Sequence, residues 1–344
     1  MPRPAFCYLI AGILCMTRLA AAHGHGEEAR TCRSPWDLRL EGLALVRDEP
    51  AGRPLAIEQL VGSAGETVSD AEDLEQGFEP GARLAAGLRL GRGWRVEVSG
   101  FWVEESDATD TETRAGTLNT PFAVRGDTGD LLLPDGFQGG FDFQQADLVR
   151  TEFDSRIYDV EAGLWRGWGH GRVTGTAGGG LRFFELDEDL TYLLDDSIAN
   201  GAGDTLFTLD NRIRNHLIGA QVGGGVRLQA AGPLSFGIDA RAGLFADWME
   251  RDSSLVRGDG VVGMDTGGDE VGLATVLEVS GEARFDVTGR VSVVLGYRLL
   301  QVNGAALATE NLQENLSDAA EYQDLDDDGS AFWHGPFFGV EIRF

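Results

Sequence analysis

The 344-residue chain has no lysine: its 28 basic residues are all arginine, set against 56 acids, for a formal net charge of −28. That balance excludes a nucleic-acid partner, since neutralising phosphates requires a basic surface. Cysteine is scarce at three residues, Cys7, Cys15 and Cys32. The first two fall in an N-terminal export signal, so mature Cys32 stands alone and an intramolecular disulfide framework is excluded. Apolar runs of the ~20 residues that a membrane-spanning helix needs are missing beyond the N-terminus. Helical periodicity is scarce throughout.

What is present begins with that export signal. Residues 1–22 carry Arg3, an apolar stretch from Phe6 to Met16, and a small-residue cleavage site at Ala20–Ala22, the three parts of a secretory signal. Residues 23–35, with His23 and His25, read as a flexible mature N-terminus, and 36–344 as one domain. Glycine is plentiful at 49 residues, about twice the roughly 7% of average proteins.

Period-two alternation recurs along the mature chain. Leu234, Phe236, Ile238, Ala240, Ala242, Leu244, Ala246 and Trp248 oppose Ser235, Asp239, Arg241 and Asp247. Val291, Val293, Leu295, Tyr297 and Leu299 oppose Ser292 and Arg298. Eight further runs behave alike, giving ten strands, and the segments Asn119–Arg125 and Leu206–Ile213 would make twelve. Short connections, such as Gly91–Gly93 and Gln229–Pro233, alternate with long ones at about 47–79, 105–152, 185–214, 249–271 and 303–333. Tight turns on one side and long loops on the other are the asymmetry of a transmembrane barrel, whereas long structureless loops count against a compact soluble domain. The expected fold is an all-β, antiparallel up-and-down barrel of about ten strands, with short periplasmic turns and long acidic external loops. Trp94, Trp102 and Trp248 tip its lipid-facing side. The chain ends on Phe344 with apolar residues at every second position before it, which resembles the signal read by the β-barrel assembly machinery. The expected partners are that machinery and outer-membrane lipid, and the expected location is the bacterial outer membrane; the oligomeric state is open.

Charge is unevenly distributed. The five long loops hold 41 of the acids and 9 arginines; the remainder, 15 acids and 19 arginines, is slightly basic. The residues expected to line a pore are Arg39, Arg95, Glu97, Arg182, Arg227, Asp239, Arg241, Glu278, Glu282, Arg284, Arg298 and Glu341, joined on the same face by Glu41, Arg83, Asp159 and Glu161. Interleaved signs predict an interior cross-linked by ion pairs. About eight strands leave an interior just filled by side chains, and aqueous porins use about 16–18, so ten strands allow at most a narrow channel for ions or small solutes.

Asp324-Leu-Asp326-Asp-Asp328-Gly329 matches the start of a calcium loop, with acids at positions 1, 3 and 5 and glycine at 6. Gly335 stands where the bidentate acid at position 12 belongs. Asp324, Asp326 and Asp328 are the candidate metal ligands; no cofactor is required, and Ca2+ is the one that the pattern admits. His216 and His334, at the outer ends of strands six and ten and near Asp210, are the only candidates for a rim-site hydrolase. No nucleophile accompanies them, so no catalytic residue is assigned and the chain is read as a non-enzyme.

Several segments resemble a known family: Arg47-Asp-Glu-Pro50 after the first strand, Gly180-Leu-Arg-Phe-Phe-Glu-Leu-Asp-Glu-Asp189 in the fifth, Asn215–Gln221, Leu295-Gly-Tyr-Arg298, and His334-Gly-Pro-Phe-Phe-Gly-Val-Glu341. Together they are similar to β-barrel porin family seven, the planctomycete-type outer-membrane barrels. The resemblance implies an outer-membrane barrel with a porin role and supplies no catalytic residues. The functional expectation is therefore a porin or narrow channel; the alternative is a structural or adhesive surface barrel whose acidic loops bind divalent cations or partners.

Overall fold

The computed structural model describes residues 35–59, 65–121, 145–195, 206–312 and 324–344. The expected export signal, and the N-terminal arm apart from Pro35, lie outside the described residues. Thirteen antiparallel strands form one sheet: β1 Trp36–Arg47, β2 Pro54–Glu58, β3 Glu66–Asp70, β4 Glu79–Gly91, β5 Trp94–Val103, β6 Ser106–Asn119, β7 Ala146–His170, β8 Val173–Asp195, β9 Leu206–Ala231, β10 Leu234–Arg257, β11 Val262–Asp286, β12 Val291–Ala305 and β13 Gly329–Arg343. A single 3-10 turn covers Ala71–Asp73. No described helix is long and apolar enough to cross a membrane.

Ten strands close a ring in the order β7-β5-β4-β1-β13-β12-β11-β10-β9-β8, with β8 returning to β7. The first and last strands meet in register, Leu38 opposite Ile342, and the Phe344 N–H donates to the Trp36 carbonyl at 3.1 Å. At one end the hairpins turn tightly. Gly171 and Gly232 take φ of 60° and 54° there, the left-handed values that a two-residue hairpin turn demands. β6 continues the line of β5 past Glu104 and Glu105: β5 pairs with Tyr158–Arg166 of β7, and β6 with Ala146–Ser155. β2 and β3 then extend the sheet beyond the ring.

Each of the ten ring strands contributes an exposed large apolar side chain to one band around the outside: Leu40, Leu90, Trp94, Leu164, Leu181, Ile218, Leu244, Leu273, Leu295 and Phe338.

Two expectations are corrected, and a third lies mostly outside the described residues. Most of 185–214 and 249–271 is strand, not loop, because β8, β9, β10 and β11 run 23–26 residues and rise far beyond the apolar band. Leu206–Ile213 is the outer part of β9, so it adds no strand to the ring. Of the expected segment Asn119–Arg125, Asn119 ends β6, and 122–125 lie outside the described residues.

Candidate functional site

The interior divides into layers along the barrel axis. At the turn end, side chains surround a cavity of about 480 Å³. Eleven of the twelve expected pore residues line it, Arg182 being the exception. Glycine makes part of the space: Gly167 and Gly225 stand at inward positions on its wall, and the Asp239 carboxylate lies against Gly225, where a Cβ would stand 2.0 Å from Oδ1.

The charges around the cavity are cross-linked. Arg39 bonds Glu282 at 2.7 Å, and Arg227 reaches the same carboxylate. Arg95 bonds Asp37 and Glu97; Arg241 bonds Glu161 and reaches Glu97 at 3.3 Å. Arg284 grips Glu341 with both Nη atoms at 2.6 and 2.7 Å, a bidentate pairing unavailable to lysine. Further from the turns, Arg182 donates to Asp159 at 2.6 Å and lies 3.1 Å from Glu278. Arg298 holds Glu41 at 3.0 Å and Glu278 at 3.4 Å. The guanidinium planes also stack on rings, Arg298 over Phe101 and Phe337 and Arg241 over Trp165. Ring stacking and forked hydrogen bonding together give arginine a structural role here.

Beyond this layer the interior is apolar. Leu43, Phe101, Ile157, Phe184, Leu217, Phe245, Val276, Leu300 and Phe337 form one buried cluster. Above it Arg47 meets Glu188 at 2.6 Å, with both side chains buried. Arg47 lies over Phe153 and Trp333. Burial pushes the Glu188 carboxyl up, against the pull of Arg47 and the Ala308 N–H.

Sequence reasoning missed the plug. Residues Ala306–Leu312, read as part of an external loop, fold into the outer mouth, where Ala306, Leu307, Ala308, Thr309, Asn311 and Leu312 are buried. Asn215 accepts from the Ala306 N–H at 2.9 Å and donates to its carbonyl at 2.8 Å. Asn211 donates to the Ala308 carbonyl, Arg251 to that of Asn311, and Arg53 to those of Thr309 and Glu310. A second apolar cluster closes around the plug, including Leu55, Leu74, Leu118, Phe153, Tyr192 and Leu209. The available signal was Asn211 and Asn215, amides spaced four apart on an inward face where each can satisfy a loop backbone.

The remaining candidates stand apart. His216 stacks on Phe183, with Nδ1 3.6 Å from Glu185. His334 bonds the Tyr297 hydroxyl at 2.6 Å and contacts Phe78. Both belong to the outward face of their strands, four strand positions apart around the ring, so the structure does not bring them together. Asp210 bonds Thr191. Among the described residues no three acids, histidines or cysteines gather in metal-ligating geometry. Asp324, Asp326 and Asp328 are exposed. Asp326 is tied by its backbone to the Asn311 side chain at 2.8 and 2.9 Å, and the neighbouring Asp326 carboxylate holds the Asp328 carboxyl above its usual range.

No protein-family model and no curated protein matches the sequence. Among solved structures the chain is similar to the outer membrane protease OmpT from Escherichia coli, at 11% identity over 92% of this chain and 99% of that one, with a TM-score of 0.44. It is also similar to Neisserial surface protein A, at 11% identity over 90% and 98% of the two chains (TM-score 0.29). The Pseudomonas putida toluene transporter TodX follows at 10% identity over 90% of both chains (TM-score 0.33).

Proposed function

We propose that the protein is a bacterial outer-membrane β-barrel that stands closed and serves as a structural or adhesive surface barrel. The band of exposed apolar residues supports the membrane location, because soluble monomers rarely expose contiguous apolar patches beyond a few hundred Å². Closure in a ring, which leaves no lipid-facing sheet edge, supports it further. The resemblance of Gly180–Asp189 and His334–Glu341 to the planctomycete-type barrel porins agrees with this location, and Phe344 is the contact proposed for the assembly machinery.

The observation that carries the closed state is the unbroken filling above the cavity: the Phe101–Phe184–Phe245–Phe337 layer, then the seated plug. The long outer parts of β7–β10, with acids on their outward faces, are the surface presented to solvent.

A narrow channel is the second reading, and the charged cavity open at the turn end favours it. Planar-bilayer recording of the folded full chain separates the two. The closed reading expects no steady current beyond the lipid baseline; reproducible single-channel steps would replace it with the channel.

A further inference from the structure

Asp247 sits on β10 facing into the barrel with 0% exposure; the His216 backbone N–H approaches its carboxylate, but neither oxygen meets a donor in full hydrogen-bond geometry. The other buried acids of the interior, Asp37, Glu41, Asp159, Glu161, Glu188, Glu278, Glu282 and Glu341, each have an arginine against them. The charge that bears on Asp247 is another carboxylate, that of Asp327. The β10–β11 ladder sets Asp247 opposite Gly272, and the missing side chain of Gly272 makes room for Asp327: a Cβ there would stand 2.5 Å from Asp327 Oδ2. Asp327 comes from the 324–329 strap, which Asn311 fastens to the plug.

Two neighbouring carboxylates at the edge of an apolar interior, with no arginine against the buried one, carry a negative charge that is strongly unfavourable unless a cation or a proton neutralises it. We propose that Asp247 and Asp327 together hold a hard divalent cation, calcium or magnesium, which pins the acidic strap and the plug to the barrel wall. The pair supplies part of an oxygen shell and water supplies the rest, as hard cations accept. The ligand in the Asp324–Gly329 motif is thus Asp327, the acid that the linear calcium pattern passes over, and its partner lies 80 residues away in the sequence. The inference is independent of whether the barrel conducts.

The test is calorimetric titration of CaCl2 into the full chain, stripped with a chelator and held in a non-ionic detergent, with urea unfolding in parallel. Wild-type protein is expected to bind one calcium with Kd on the order of 10⁻⁴–10⁻³ M, the range of extracellular sites, and to unfold at higher urea with calcium present. Asp247→Asn, Asp327→Asn and Gly272→Ala are each expected to weaken binding at least tenfold; Asp324→Asn is expected to leave it unchanged. Asp247→Asn should also unfold at higher urea than wild type in chelator, because it removes the unneutralised charge. Gly272→Ala keeps both carboxylates and displaces one, so it tests the geometry should either Asn variant fail to fold. Absence of calcium binding by wild type would overturn the proposal in favour of a shared proton, as would binding that survives both Asp247→Asn and Asp327→Asn.

Discussion

Asp154 stands directly opposite Asp189 in the β7–β8 ladder, and Asp107 faces it from β6 on the other side. Like charges in register across strands repel. Partial burial, with the added fields of Glu105, Asp107, Asp189 and Glu152, pushes the Asp154 carboxyl up to about 6, against about 3.9 in an unfolded chain. A folded-state value above the unfolded one means that the ionised form disfavours folding. The penalty is full at pH 7.5, fades as pH falls through 6, and is gone below about 4. Asp154→Asn should therefore stabilise the protein by ~0.5–1 kcal/mol at pH 7.5 and be neutral at pH 4. Urea unfolding of vesicle-inserted protein at the two pH values checks this; equal gains at both would refute the assignment.

Arg182 is buried between Asp159 and Glu278, at 2.6 and 3.1 Å. Arg182→Met leaves two buried carboxylates with fewer partners and should cost about 3–5 kcal/mol, the range for breaking a buried pair from one side. Adding Asp159→Leu removes one stranded charge, and the double variant should recover at least half the loss. A double-mutant cycle in urea measures it, and a double variant no better than Arg182→Met would contradict the pairing.

Those interior arginines were legible in the sequence because the strands alternate cleanly where their outward face is apolar. Leu244 and Trp248 point out while Arg241 points in, so a period-two scan finds strand and face together. Further along β10 the outward residues become Glu250 and Asp252, and the inward ones Met249 and Leu255, both buried. β8 does the same, with Glu185 and Asp189 outside and Leu186 and Leu190 inside. The strand continues but its solvent pattern inverts, and an inverted alternation reads locally as an acidic loop. Ten strands and the polar inner layer therefore followed from pattern, while the outer sheet did not. The plug and the Asp247–Asp327 approach depend on contacts between residues some 80–90 positions apart, to which no periodicity refers.

Asn215 clamps Ala306 by both its carbonyl and its N–H. Asn215→Ala should cost about 1–3 kcal/mol, since it strands two buried backbone groups. The loss should appear locally: amide exchange at 306–312 should speed up before that of the ring strands. Conductance should stay at baseline, because Phe184 and Phe245 lie between the plug and the cavity. Channel steps in Asn215→Ala would show that the plug, and not the aromatic layer, is the seal.

Gly335 on β13 and Gly281 on β11 make a controlled pair. A Cβ on Gly335 would stand 1.9 Å from the Ala44 carbonyl oxygen and 3.0 Å from the Leu45 Cα, both backbone atoms of β1, the strand that closes the ring. No rotamer can relieve such a contact, so Gly335→Ala must push β1 and β13 apart at the seam. An overpacking cost of about 1–3 kcal/mol is the least expected, together with a lower yield of folded barrel. A Cβ on Gly281 meets nothing within 4 Å, so Gly281→Ala should be neutral or gain up to ~0.5–1 kcal/mol from reduced backbone entropy in the unfolded chain. Heat-modifiable migration on gels, which distinguishes folded from unfolded barrel, compares the two variants directly. Equal folding yields would mean that the β1–β13 seam tolerates separation and is not a tight closure.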